Sequence, residues 1–220
     1  MNERSFLFGD KMTDELTLSK SDATRGERTH ADIILAAHDL IIQHGYHGTS
    51  MRQIAKQAGI ALGGIYNHFA SKEDIFREVV LTYHPYHEIM PILANAQYDS
   101  IEELLCHAAH LIDDTLNTRP DVLNLMFIEI VEFRSQHIPE LIERFFPIVG
   151  QILQRFMEAE DTLRPIPLPM LMRTFMGMLL GYFMTKSILG EQIPVEFREN
   201  ALEHFLDVYL HGILKTETTS

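Results

Sequence analysis

The sequence predicts an all-α chain in which an N-terminal three-helix unit precedes a larger C-terminal helical domain. Three observations carry this expectation. Apolar residues recur at three- and four-residue steps in one segment after another, no stretch alternates as a half-buried strand does, and glycines, prolines and hydroxyl N-cap residues fall at the segment ends. With 220 residues and 46% hydrophobic content, the chain is long enough to bury a substantial core.

Residues 1–23 mix charge with serine and threonine around Phe6, Leu7 and Phe8, and read as a mobile tail. From Arg28 to His44, the set Ile33, Ala37, Leu40 and Ile41 marks a first helix that Gly45 stops. Thr49-Ser50 then precedes a short second helix with Ile54, Ala55 and Ala58 inward; Gln53 stands in capping-box position and Gly59 ends it. A third short segment covers Ala61 to Phe69. Ser71-Lys72-Glu73-Asp74 caps a longer helix to about Tyr83, which Pro85 closes or kinks.

Beyond it the breakers place helices over Ser100–Thr118, Asp121–His137 and Glu140–Glu158, the last containing Pro147. Residues 164–169 hold three prolines and form an extended linker, because proline also restrains the residue before it. Two final helices follow, Met170–Leu189 and Pro194–Leu214. The expected organisation is a tail (1–23), a small helical domain (24–84) and a larger one (85–220).

Composition narrows the class. The lone Cys106 forms no internal disulfide, and Met1 is followed by polar residues rather than a signal core, which points to a cytoplasmic protein. The longest apolar run, Thr174 to Thr185, falls short of the roughly 20 residues a bilayer requires and reads as a buried helix, so no membrane partner is expected. The net charge of -13 sits mostly in the C-terminal part: residues 24–84 carry six basic and six acidic side chains with six histidines. A neutral region supports a specific contact with nucleic acid better than tight nonspecific binding.

Two short helices across a glycine-containing turn, propped by a preceding helix, are the sequence form of a helix-turn-helix. The residues Gly45-Tyr46-His47-Gly48-Thr49-Ser50-Met51-Arg52-Gln53-Ile54-Ala55, then Ala58-Gly59-Ile60, Gly63, Tyr66, His68-Phe69, Ser71-Lys72-Glu73 and Phe76, closely resemble the TetR family of bacterial transcriptional regulators. The match is specific over about residues 28–80 and only architectural beyond.

The resemblance implies that Ala61, Leu62, Gly63, Gly64 and Asn67 face the major groove of operator DNA, with Asn67 able to pair with adenine. It implies that Tyr66 and His68 contact phosphates, and that Thr49, Ser50, Arg52, Gln53 and Lys72 position the backbone. Where a hydroxyl, a cation, a glycine and a threonine are usual in the family, the sequence has Ala61, Leu62, Gly63 and Gly64, so it departs at Ala61, Leu62 and Gly64. The recognition helix thereby loses a cap and a charge, and adjacent glycines cost it roughly 1 kcal/mol each in helix propensity.

The helix from Met170 is apolar nearly all round, so it must be covered on several sides. The resemblance implies that the last two helices pair with their copies in a homodimer, through Met178, Phe183, Phe197, Ala201, Phe205 and Val208. For a small hydrophobic or aromatic effector, the candidate lining is His107, His110, Met126, Phe127, Glu129, Phe133, Phe156, Met176 and Tyr182, a mixture of adaptable apolar walls and polar handles. His107 and His110 stand three apart, as metal ligands can, but no cysteine pair or diagnostic carboxylate accompanies them, and no metal or cofactor is expected. The expected function is a ligand-responsive repressor that binds a palindromic operator as a dimer. The alternatives are a regulator without an effector, and a helical hydrolase or isomerase, which no nucleophile elbow, metal signature or phosphate loop supports.

Overall fold

A computed structural model describes residues 24–158 and 160–213, all of whose regular elements are helical. The N-terminal segment expected to be a tail, and Leu214 at the expected end of the last helix, lie outside the described residues. The chain forms two compact units. Among the described residues, the first comprises 24–84 with 124–137, and the second 85–123 with 138–213.

In the first unit, α1 runs Arg25–Gly48 and starts earlier than periodicity indicates, because Thr24 and Glu27 form a reciprocal cap: the Glu27 N–H reaches the Thr24 hydroxyl at 3.3 Å and the Thr24 N–H the Glu27 carboxylate at 2.6 Å. Gly45, at φ 73°, breaks the helix where the sequence places its stop. Helices α2 (Met51–Gln57), α3 (Leu62–Ile65) and α4 (Lys72–Tyr83) follow. Ile33, Ala37, Ile54, Ile65, Ile75, Phe76 and Val79 are fully enclosed at the centre of this unit.

The first unit also takes in a segment that the sequence assigns to the C-terminal domain. Helix α7 spans Pro120–Glu132, and its residues from 124 onward belong here. Leu125 and Phe133 need apolar cover and find it in the same core: the Phe133 ring stacks on Phe76 with centroids 4.7 Å apart and meets Tyr46 edge-on at 4.8 Å. The expected helix to His137 stops at Glu132. Arg134 and Ser135 adopt left-handed φ values of 52° and 63°, and the Ser135 N–H returns to the Glu129 carbonyl at 3.1 Å.

The second unit holds α5 (Tyr86–Asn95), α6 (Ile101–Thr118), the start of α7, α8 (Ile138–Glu158), α9 (Leu168–Leu189) and α10 (Ala201–Ile213). Helix α5 is unforeseen in the sequence: Pro85 caps a new helix rather than ending order, and Pro91 lies within it. The Arg155 guanidinium closes its C-terminal end by donating to the Leu93 and Ala94 carbonyls at 3.3 and 2.8 Å. The single helix expected from Pro194 is instead a 3-10 turn, Val195–Phe197, separated from α10 by Asn200 at φ 58°. Helices α8 and α9 start at Ile138 and Leu168, ahead of expectation, because Pro139 and Pro169 occupy first-turn positions where the missing N–H costs nothing. Among the described residues no helix is long and apolar enough to cross a membrane.

Candidate nucleic-acid interface

The geometry of the two short helices follows from their caps and their shared core. The Ser50 hydroxyl accepts the Gln53 N–H at 3.3 Å while the Gln53 side-chain oxygen accepts the Ser50 N–H at 2.9 Å, so α2 begins on a complete capping box. Ile54 and Ala55 turn inward. Gly59, at φ 70°, then reverses the chain in a conformation that strains any L side chain, and the Ile60 N–H closes the turn on the Ala55 carbonyl at 3.0 Å.

Helix α3 is shorter than the expected Ala61–Phe69. One α-turn ends at Ile65, and the chain continues in tight turns as the Asn67, His68 and Phe69 N–H groups bond back to the Gly64 and Ile65 carbonyls at 3.0–3.2 Å. Ala61 offers no side-chain cap, which accounts for the brevity. A Cβ added at Gly64 would meet nothing within 4 Å. Gly64→Ala is therefore expected to stabilise the free protein by up to about 1 kcal/mol, read as a higher midpoint of urea unfolding. An unchanged or lower midpoint would show that the glycine serves the free fold.

The outward surface of this motif is formed by Ala61, Leu62, Gly63, Tyr66 and Asn67, with Gly64 and His68 half-buried. Leu62 and Tyr66 are 43% and 54% exposed, large values for such side chains that the motif's own packing does not use. Arg52, Gln53 and Lys56 are exposed on α2, and Arg25 and Arg28 on the first turn of α1. The ring of His30, which sequence reasoning passed over, lies stacked on Phe69 at 4.5 Å and 6.1 Å from the ring of His68.

Two of the expected backbone-positioning residues serve inward roles. Thr49 is buried, and its hydroxyl donates to the Gly45 carbonyl at 3.0 Å, so it holds the turn and does not face outward. The Lys72 ammonium donates to the Tyr46 and Thr49 carbonyls at 2.7 and 2.8 Å and sits 4.0 Å from the Tyr46 ring centroid; burial lowers its pKa. It ties α4 to the end of α1. The Ser50 hydroxyl also donates to the Gln53 side-chain oxygen at 2.5 Å, so the exposed Ser50 is engaged in its cap.

The nine residues expected around an effector do not gather in one unit. Met126, Phe127, Glu129 and Phe133 belong to the first, and Phe133 is a core residue there. Glu129 is 0% exposed and accepts the His137 backbone N–H and ring Nδ1–H, both at 2.8 Å, so it anchors the chain reversal rather than a ligand. In the second unit, His107 Nδ1 pairs with the Tyr98 hydroxyl at 2.7 Å and His110 lies 3.9 Å from Glu203. Tyr182 is buried with its hydroxyl accepting from Lys186 at 3.1 Å, while Met176 is exposed. Phe156 alone of the nine lines the half-open cleft of about 380 Å³ formed with Met157, Leu163–Leu168 and Leu171.

Among the expected dimer residues, Phe197 and Val208 are 67% and 74% exposed. Phe183 is instead buried in its own unit, and Met178, Ala201 and Phe205 are half-buried against it. The large outward apolar side chains of α9 are Met170, Met176, Leu180, Ile188 and Leu189.

Residues 33–79 match the family described as bacterial regulatory proteins, tetR family. The chain is 25% identical to an uncharacterized HTH-type transcriptional regulator, YvkB, of Bacillus subtilis (strain 168), over 84% of this chain and 97% of that protein. Over 46 residues it is 50% identical to the fatty acid metabolism regulator protein of Bacillus subtilis (strain 168), covering 21% of this chain and 24% of that one. In fold it is similar to a TetR family transcription regulator from Marinobacter aquaeolei VT8 (TM-score 0.65, 16% identity, 87% of this chain and 98% of that one). It is similarly close to the transcriptional regulator FadR from Bacillus subtilis, solved in complex with stearoyl-CoA (TM-score 0.64, 21% identity, 83% and 98%).

Proposed function

Because this chain belongs to the TetR family of DNA-binding transcriptional regulators, we propose that it is a cytoplasmic repressor that binds a palindromic operator as a homodimer and responds to an apolar effector. The observation that carries the reading is the outward Leu62, Tyr66 and Asn67, on and just after the short helix α3, which the Gly59 turn and a closed core hold against the capped α2. Such a helix enters a major groove without reordering. Tyr66 and Arg52 reach phosphates, Asn67 reads a base edge, and Thr49 and Lys72 keep the two helices at their angle.

The dimer is proposed on the exposed Met176, Leu180 and Val208 of α9 and α10, apolar side chains that a second copy would cover. An apolar effector is supported by the lining of the second unit's cleft and by the acyl-CoA bound in the FadR complex.

Footprinting on the DNA upstream of the protein's own gene tests the reading. A protected inverted repeat is expected, and Asn67→Ala should weaken binding by roughly 5- to 100-fold, as loss of a bidentate base contact worth about 1–3 kcal/mol implies. Absence of protection at low salt overturns it. Stearoyl-CoA is the first effector probe, with release of the DNA as the expected response.

A further inference from the structure

Over residues 24–84 the exposed cations of the first unit are Arg25, Arg28, Arg52 and Lys56. Basic and acidic side chains balance over these residues, and Lys72, the cation nearest the end of the motif, points inward at two carbonyls. Beside the exposed Tyr66 and Asn67 there are instead two imidazoles from different elements, His68 after α3 and His30 on the second turn of α1, with ring centroids 6.1 Å apart. Both are half-buried. Phe69, 95% enclosed, backs the His30 ring at 4.5 Å and fixes its plane.

We infer that His30 is part of the DNA-contacting surface together with His68, and that duplex binding takes up protons at these two imidazoles; this rests on the DNA-binding reading above.

The charged groups on the surrounding elements leave that role open. On α1, Glu27 is held by Thr24, and Arg25 and Arg28 stand on the same exposed first turn. On α4, Asp74 is bonded to Ser71 and Glu73 to Gln136, while Lys72 faces Tyr46 and Thr49. On α2, Arg52 and Lys56 are exposed. The carboxylates next to other histidines of the unit have their partners already: His38 has Asp39 at 3.0 Å and His47 has Glu132 at 2.7 Å.

A phosphate beside an imidazole favours its charged form, so the pKa of each ring is higher in the complex than in the free protein. A group whose pKa rises on binding strengthens the complex as pH falls through the range in which it takes up its proton. The gain disappears as pH rises past the value in the complex. A one-unit rise gives at most about tenfold in affinity per imidazole. Because phosphate contacts are independent of sequence, the effect should extend to any B-form duplex.

The test is fluorescence anisotropy at fixed ionic strength, from about pH 8 to about pH 6, with a duplex from upstream of the gene and a duplex of scrambled sequence. The wild type is expected to gain about tenfold or more on both. His30→Tyr, which keeps the ring stack on Phe69, combined with His68→Gln should flatten most of that gain, while His87→Gln in the second unit should leave it in place. Imidazole titrations by NMR should show both rings moving to higher pKa when duplex is added. A double variant that folds normally but retains the full pH dependence overturns the inference, as do rings whose titration is unmoved by DNA; in either case DNA binding itself stands. Absence of binding to both duplexes at every pH removes the inference and the underlying reading together.

Discussion

Glu129→Ala is expected to cost the first unit about 1–3 kcal/mol for each of the two buried donors it leaves without an acceptor. The carboxylate is 0% exposed and receives both the backbone N–H and the ring Nδ1–H of His137. Without it those donors are buried with nothing to accept them. The left-handed Arg134 and Ser135 also lose the anchor that holds them in a conformation costly for residues with a Cβ. Phe133 would then no longer be held on Phe76 and Tyr46. The midpoint of thermal unfolding should fall by about 10 °C or more, and operator binding should fail at temperatures where the wild type still binds. Glu129→Gln keeps one acceptor oxygen and should fall between the two. A wild-type melting profile for the alanine variant would show that the pair contributes nothing to the unit.

Placing carboxylates on the exposed apolar side chains of α9 and α10, with Leu180→Glu and Val208→Glu together, is expected to leave the protein monomeric in sedimentation equilibrium. Neither side chain is enclosed in its own subunit, at 46% and 74% exposure, so folding of the subunit should survive and circular dichroism should be unchanged. Operator affinity should drop by about 100-fold or more, because the second half-site contact ceases to be intramolecular. A variant that remains dimeric would locate the subunit contact elsewhere on the second unit.

What could be read from the sequence follows the range of the interactions involved. The Ser50/Gln53 cap, the stops at Gly45 and Gly59 and the cap at Ser71 are signals within a few residues, and the structure forms each of them. The extra helix Tyr86–Asn95 was hidden because Pro85 and Pro91 look like breakers, although one sits at the cap and the other leaves enough bonds on either side. Long-range placement was not legible. Nothing local to Lys72 indicates that its ammonium turns inward to two carbonyls over 20 residues upstream, or that Phe133 crosses to Phe76. On α9 the difficulty is different: a helix apolar on every side carries no marker of which stripe is enclosed by its own fold. Phe183, expected at a subunit contact, is enclosed in its own unit, and Met176, expected at an effector, is exposed.

The mixed membership of residues 124–137 has a consequence for how such proteins can be recombined. A chimera that grafts only residues 24–84 onto a foreign body would leave Tyr46 and Phe76 unroofed, and a foreign helix in place of 124–137 would have to supply a matching aromatic plug. The exchangeable cassette is therefore discontinuous in the gene, and reshuffling at a single crossover point cuts through it.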